Sequence, residues 1–412
     1  MLLESKERNG MKVLMVSTEY PPMKGGVGRY SAKLVEALRK SAGVEVEVAC
    51  NAAGKGDYSG ISPNNEENSE VLLKIVEESR PDIVHIQFEP GLYGLILDSS
   101  KPSVSRTFID DFYRRSRVPI VTTFHSAYTF REWMGQGMIV KREGRIGKLG
   151  IPLRATVRAW KCLVGYKAFH EINREKLKLS YAGICFSKYM AARIGGGHVI
   201  YHGAEPAISP PVSKAKAREI FSLPQDKMIA VAVGFSTATK GWDILTKMEM
   251  PNSWIMLLNS SKGHFNREQN VYGIYDKGPN YKSNNNIIDL QRGFLTEEEL
   301  SLLFYASDVV MLPYKITSGS GVMFDALAHK LPFVASDLDF FREFAQMGLG
   351  MTARRNTVSF ATAIDDLGRS YDKFSKAVDN FKNQLKWEFV TSQHVDIYNG
   401  ALKQRSQSSS LH

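Results

Sequence analysis

The sequence predicts an α/β protein built as two doubly wound, Rossmann-like parallel-sheet domains facing a cleft. Three observations lead there. Short β-branched apolar runs alternate with helix-like stretches, the pattern of parallel strands covered on both faces. The alternation stops at a proline-rich segment, Ala204–Ala217 (AEPAISPPVSKAKA), and restarts beyond it. The 412 residues suit two domains at roughly 100–200 residues each.

In order, MKVLMVS (Met11–Ser17) reads as the first strand, and Val27–Lys40 as a helix with Tyr30, Leu34 and Leu38 on one stripe. VEVEVAC (Val44–Cys50), a helix around Glu70–Ser79, and DIVHIQF (Asp82–Phe88) follow, then VPIVTTFH (Val118–His125), GICFS (Gly183–Ser187) and HVIYHG (His198–Gly203). Beyond the break come KMIAVAVGF (Lys227–Phe235), a Trp242–Met248 helix, SWIMLLNS (Ser253–Ser260), NIIDLQRG (Asn286–Gly293), DVVMLPY (Asp308–Tyr314) and PFVASD (Pro332–Asp337). After Thr357 the pattern is helical, with a frayed tail expected at QRSQSSSLH. The expected domains are 11–205, with a basic insertion at about 126–180, then 206–380, and a helix at 381–403 crossing back to the first domain.

Hydrophobic, charged and aromatic contents of 43%, 23% and 10% exclude a mainly disordered, collagen-like or coiled-coil chain. No run approaches the roughly 20 apolar residues of a membrane span, and Met1–Gly10 lacks the apolar core of a signal peptide. Three scattered cysteines (Cys50, Cys162, Cys185) make neither a disulfide framework nor a zinc cage. A cytoplasmic location is the expectation. With 53 basic and 43 acidic residues the net charge is +10, which favours anionic partners.

In open parallel sheets ligands bind beyond the carboxyl ends of the strands. Three segments fall there. Pro21–Tyr30 (PPMKGGVGRY) offers Gly25, Gly26 and Gly28 for close backbone approach at a helix start suited to an anion. The alternative reading is a plain tight turn. Gly234–Gly241 (GFSTATKG) is not a Walker loop, but it brings Lys240 to the cleft; an exposed lysine is the simpler reading. Pro313–Pro332 joins a Ser/Gly loop (Thr317, Ser318, Gly319, Ser320, Gly321, Val322) to a helix start, with Asp325 about one turn in.

Taken in order along nearly the whole chain, these segments resemble retaining glycosyltransferases of the GT-B fold, specifically glycosyltransferase family four. The signs are Gly25-Gly26-Val27-Gly28-Arg29-Tyr30, Thr123-Phe124-His125, Ser187 opening a helix, Val199–Gly203, Lys240-Gly241, Gly293–Leu300, Ala306-Ser307-Asp308, Pro332–Ser336, and Trp387-Glu388 with Tyr398. The resemblance implies transfer of a hexosyl group from a nucleotide-diphosphate sugar to a hydroxyl acceptor. Gly25 and Gly26 would meet the diphosphate from one side and Lys240 from the other. His125 would hydrogen-bond the transferred sugar and Asp325 the ribose. Ser320 and Gly321 would donate backbone N–H groups to phosphate, and Gly293 and Phe294 would neighbour the base.

Two positions depart from the family pattern. Thr317 stands where the family usually has a glutamate, eight residues before the ribose acid. Phe235 follows Gly234 where an arginine is usual. Lys240 would then carry more of the phosphate charge, helped by Arg292 or Lys315. No cofactor or metal is expected; Asp337-Leu338-Asp339 reads as a strand-end turn. Family members are taken to let the acceptor hydroxyl attack from the leaving-group face, a donor phosphate oxygen accepting its proton. No side-chain nucleophile is therefore named. His125 could instead be a packed core histidine, and His85, Glu89 and Glu19 either approach the acceptor or serve the surface structure.

Residues 141–178 hold eleven basic and three acidic positions. Leu153, Val157, Trp160 and Val164 recur at helical spacing beside Arg154, Arg158 and Lys161. Two readings stand: a helix lying on an anionic membrane, as a lipid-linked acceptor would suit, or a helix packed on the first domain with a solvated basic edge. Other functions weighed are a degenerate GT-B scaffold, a sugar hydrolase or phosphorylase, and a basic nucleic-acid-binding protein. The last is not expected, since no RRM, KH, zinc-finger or helix-turn-helix signature occurs. Nor does the first loop carry the G-x-G-x-x-G of an NAD enzyme.

Overall fold

The computed structural model describes residues 10–97, 105–134, 151–261 and 286–409. The first sheet contains β1 (Met11–Val16), β2 (Val44–Cys50), β3 (Tyr58–Ser59), β4 (Ile83–Phe88), β5 (Ile120–Phe124), β6 (Ala182–Cys185) and β7 (His198–Val199). The second contains β8 (Met228–Phe235), β9 (Trp254–Ser261), β10 (Ile287–Asp289), β11 (Val309–Leu312), β12 (Phe333–Ser336) and β13 (Gly350–Ala353). The orders are β3-β2-β1-β4-β5-β6-β7 and β10-β9-β8-β11-β12-β13. All named pairs are parallel, so both sheets are doubly wound.

Burial explains why these runs are strands. Every residue of β1, β4 and β11 is buried, as expected where helices cover both faces. Even Lys12 of β1 is buried, its ammonium donating to Ser79 O at 2.9 Å and pairing with Glu47 at 2.7 Å. The strands β3 and β13 lie outside the sequence expectation. The first is only two residues long, and the second (GMTA) lacks a β-branched run. Gly350 fits β13 because a Cβ there would lie 2.3 Å from Phe333 O.

The predicted Trp242–Met248 helix shortens to Trp242–Leu245 behind a 3₁₀ turn at Ala238–Lys240. The final helix, Trp387–Ser409, lies against the first sheet, where Tyr398 Oη meets His85 Nδ1 at 2.6 Å. It continues into the tail expected to fray, with Ser406 Oγ donating to Leu402 O at 3.0 Å. Between the sheets, a helix at Lys214–Ile220 begins within the proline-rich break and runs past its end. It is anchored by buried Asp308, which accepts from Arg218 Nη2 and the Ile229 amide, both at 2.7 Å, and pairs with Lys214. Tyr201 joins the two halves through ring contacts with Phe344 (5.8 Å) and Phe381 (5.1 Å).

Candidate active site

The strand orders reverse beside β1 and β4 in the first sheet, and beside β8 and β11 in the second. Such reversal points open crevices at the carboxyl ends of strands. The three sequence-selected segments follow β1, β8 and β11, and His125 follows β5. All of the candidate residues therefore come from strand-end loops or the helix starts behind them.

On the first-domain side, Gly25 precedes the Gly26–Arg39 helix. The protein supplies its own carboxyl group at this helix start. Glu19 is buried and accepts from the Gly28 amide at 3.0 Å. Burial pushes the Glu19 carboxyl up, while the Gly28 and Val27 amides pull it down. A Cβ on Gly25 would lie 1.9 Å from the Glu19 carboxyl carbon, so Gly25 is required by this cap. Gly26 differs: no described atom lies within 4 Å of the place its Cβ would take.

On the second-domain side two loops are bonded together. Lys315 N donates to Thr239 O at 2.7 Å. Gly241, at φ +72°, would bring a Cβ to 1.8 Å from Pro313 O. Lys240 Nζ sits 3.8 Å from the centre of the Tyr314 ring, a cation–π contact that holds the ammonium beside the Ser/Gly loop. The Thr317 hydroxyl donates to Gly319 O at 2.6 Å, turning onto its own loop. Ser320 caps the Gly321–Ala328 helix by accepting from the Met323 amide at 3.2 Å. The amides of Gly321 and Val322, first in that helix, have no intrahelical acceptor and are free for an anion. Gly234, Gly293 and Gly319, like Gly26, have no described atom within 4 Å of a would-be Cβ.

His125 faces this loop, since Ser318 Oγ donates to His125 O at 3.3 Å. Its ring lies edge-on to Tyr30 (5.5 Å) and Phe186 (5.2 Å). Its Nε2 meets Gln87 Oε1 at 2.9 Å, and a carbonyl acceptor there makes Nε2 the protonated nitrogen. Nδ1 is then an acceptor. Gln87 Nε2 lies 3.3 Å from His85 Nε2, and His85 continues to Thr123 Oγ1 (2.7 Å) and Tyr398 Oη (2.6 Å). His85 is thus fully buried and links the final helix to the Gln87 side chain on which His125 rests. Burial, with His202 as a lesser cause, pushes the His125 imidazole down to about 3. Burial likewise lowers His202 to about 4, against the pull of Asp325.

Asp325 is buried on its helix and already engaged. Arg29 Nη1 donates to Asp325 Oδ2 at 2.6 Å and Nη2 to Oδ1 at 3.3 Å. The same guanidinium grips Glu297 through Nε (2.6 Å) and Nη2 (2.7 Å). Burial opposes the charge on Arg29, but Asp325 and Glu297 outweigh it and hold the group more firmly protonated. A groove of about 650 Å³ opens beside this clamp, between the Gly26–Arg39 helix, residues 203–207 and the final helix.

Phe294 stands 6.3 Å from the Phe235 ring, and Lys24 Nζ reaches it across the cleft at 4.9 Å. The two expected helpers of Lys240 are committed elsewhere. Arg292 lies over Phe221 (4.9 Å) and near Glu299 (3.9 Å), although its amide and Gly293 O are fixed by Asn259. Lys315 pairs with Asp243 at 3.3 Å. Asp337 and Asp339 both hold Arg342, at 2.5 and 2.7 Å. Among the described residues no cluster of three or more His, Cys, Asp or Glu is arranged for a metal.

Residues 141–150 and the side chains of Leu153, Arg154, Val157, Arg158 and Lys161 lie outside the described residues. Within the Ile151–Leu179 helix, Trp160 is exposed and Val164 buried. Lys176 is fully buried and pairs with Asp110 at 2.8 Å, while Arg174 approaches Glu171. The basic positions are therefore divided between core and surface. No helix among the described residues is long and apolar enough to cross a membrane.

Residues 24–164 match the family model described as Glycosyltransferase Family 4. The chain has the GT-B fold. Its fold resembles sucrose-phosphate synthase from Thermosynechococcus elongatus, with a TM-score of 0.64 at 15% identity, over 96% of this chain and 100% of that one. It also resembles Anabaena HepE, solved in complex with UDP (TM-score 0.59, 14% identity, 95% and 100% covered). A third neighbour is the UDP-GlcNAc 2-epimerase of Neisseria meningitidis (0.54, 12%, 94% and 99%). No curated protein matches by sequence. The family-matched segment includes the Gly25-Gly26 loop and His125. Arg29, Glu297, Gln87 and Glu19 carry much of the site's geometry. Arg29 stood inside the quoted glycine motif, but only the fold brings its two acidic partners, 268 and 296 residues away, to it.

Proposed function

We propose that this chain is a retaining glycosyltransferase, moving a hexosyl group from a UDP- or GDP-sugar to a hydroxyl of a glycan or lipid-linked acceptor. One observation carries the donor site: Gly26 and Gly319 need glycine neither for a left-handed backbone nor for packing against described residues. Gly319 lies on the loop after β11, and Gly26 opens the helix after β1. Glycine there leaves room for a backbone to meet a ligand.

In this reading the diphosphate lies against Gly26, Gly234 and the Gly319–Val322 loop. Lys240 and the Gly321 and Val322 amides stabilise the negative charge that builds on the leaving group. The neutral His125 accepts a hydrogen bond from a sugar hydroxyl at Nδ1, Asp325 receives the ribose, and Gly293 and Phe294 flank the base. The acceptor hydroxyl attacks from the leaving-group face, passing its proton to a phosphate oxygen. Transfer needs no metal, and closure of the cleft excludes water.

The test is turnover of UDP- and GDP-hexoses in EDTA, with proton NMR of the anomeric product. Product of unchanged configuration, formed without added metal, is expected. An inverted product, or turnover restored only by a divalent ion, overturns the reading. We further propose a cytoplasmic protein that meets its acceptor at the inner membrane face through residues 141–178. Sedimentation with anionic liposomes at low salt and none with neutral ones is expected; failure to sediment with either removes the membrane surface.

A further inference from the structure

We infer that Arg29 is a positioning residue for donor ribose, a cross-domain clamp that presents Asp325 to the nucleotide; this rests on the donor site proposed above. The guanidinium uses four N–H bonds on two carboxylates of the opposite domain, all between 2.6 and 3.3 Å. Asp325 is nearly buried (7% side-chain exposure), whereas Glu297 and Arg29 retain 35% and 31%. A carboxylate has about four lone-pair sites. Arg29 takes two on Asp325, leaving the others for ribose hydroxyls while fixing the plane in which they point.

The two ends of the clamp are tied to the two halves of the phosphate site. Arg29 lies one turn beyond Gly25-Gly26, its amide donating to Gly25 O at 3.0 Å. Asp325 lies one turn beyond Ser320, the cap of the phosphate-facing helix. Ribose bound at Asp325 therefore reports directly on whether the two loops are closed together. Glu297 serves as the second tooth of the fork, keeping the guanidinium plane aligned with Asp325. Lysine cannot reproduce a planar double fork.

The experiment is calorimetric titration of wild type, Arg29→Lys, Arg29→Gln and Glu297→Gln with UDP, GDP and ADP, and with the 2′-deoxy and 3′-deoxy form of each. Wild type is expected to prefer at least one ribonucleotide over a deoxy form by about tenfold, the worth of one charge-assisted hydrogen bond. Arg29→Lys and Arg29→Gln should shrink that ratio to under about threefold, with Glu297→Gln between. Equal weakening of ribo and deoxy forms, leaving the ratio intact, would show a merely structural clamp and overturn the inference. So would a wild type with no preference. Should no diphosphate bind wild type, the donor site itself falls, and the clamp with it. Arg29→Lys keeps the charge, and circular dichroism checks that each variant is folded.

Discussion

Adding one methyl group at Gly26 or Gly319 should stabilise the fold and damage the site. Neither residue has a left-handed backbone, and no described atom lies within 4 Å of the new Cβ. Alanine at such a position restricts the unfolded chain and adds about 0.4–1 kcal/mol to stability. At Gly26, the first residue of its helix, helix propensity acts in the same direction. For domains of this size the melting temperature should rise roughly 1–4 °C. The same methyl group fills the space where a diphosphate would touch the backbone, so affinity for the cognate nucleoside diphosphate should fall about tenfold or more, some 1.4 kcal/mol. Differential scanning calorimetry without ligand and calorimetric titration with it measure the two effects. Gly241→Ala is the contrasting control: at φ +72° and 1.8 Å from Pro313 O it should lower stability. A drop in stability at Gly26 and Gly319, or full binding by both variants, would refute the reasoning.

The other expectations concern stability. Burial holds His125 at about 3 and His202 and His394 at about 4, below the roughly 6.5 of an unfolded imidazole. The unfolded chain therefore takes up protons first. Stability from these groups is full above pH ~6.5 and falls as the pH drops towards 4, by about 2 kcal/mol per imidazole at pH 5. His394→Phe should make the decline in urea-derived stability shallower by about 1.4 kcal/mol per pH unit, and an unchanged slope would contradict this. Asp308→Asn leaves the buried Arg218 without its charged partner and should cost about 3–5 kcal/mol. A loss under about 1 kcal/mol by chemical denaturation would argue against that anchor.

The sheet architecture was legible because parallel strands buried on both faces announce themselves as apolar runs, as β1, β4 and β8 do. Short elements were not, because periodicity needs length: β3 has two residues. The loops at the strand ends were legible through their glycines and the position of Lys240. What the glycines meant was only partly visible. Gly25 makes room for Glu19, whereas no described atom comes near the Cβ position of Gly26, and only the three-dimensional arrangement separates neighbours of identical chemistry. The same limit applied to charge. Arg292, Lys315 and Lys240 look alike along the chain, yet Arg292 lies on Phe221 and Lys315 on Asp243, while Lys240 is held over Tyr314. Asp325 was placed correctly on its helix, but its arginine partner lies in the other domain and no local pattern points to it.

The most direct test of the central claim is a thermal-shift titration of wild type and Lys240→Ala with UDP, GDP, ADP and dTDP. A nucleotide at 100 times its dissociation constant adds about 2.7 kcal/mol to the folded state. The account predicts that one of the four raises the wild-type melting temperature, and that Lys240→Ala, measured against its own ligand-free melting temperature, loses most of that rise. A wild type unmoved by all four, or a variant stabilised as fully as wild type, would contradict it.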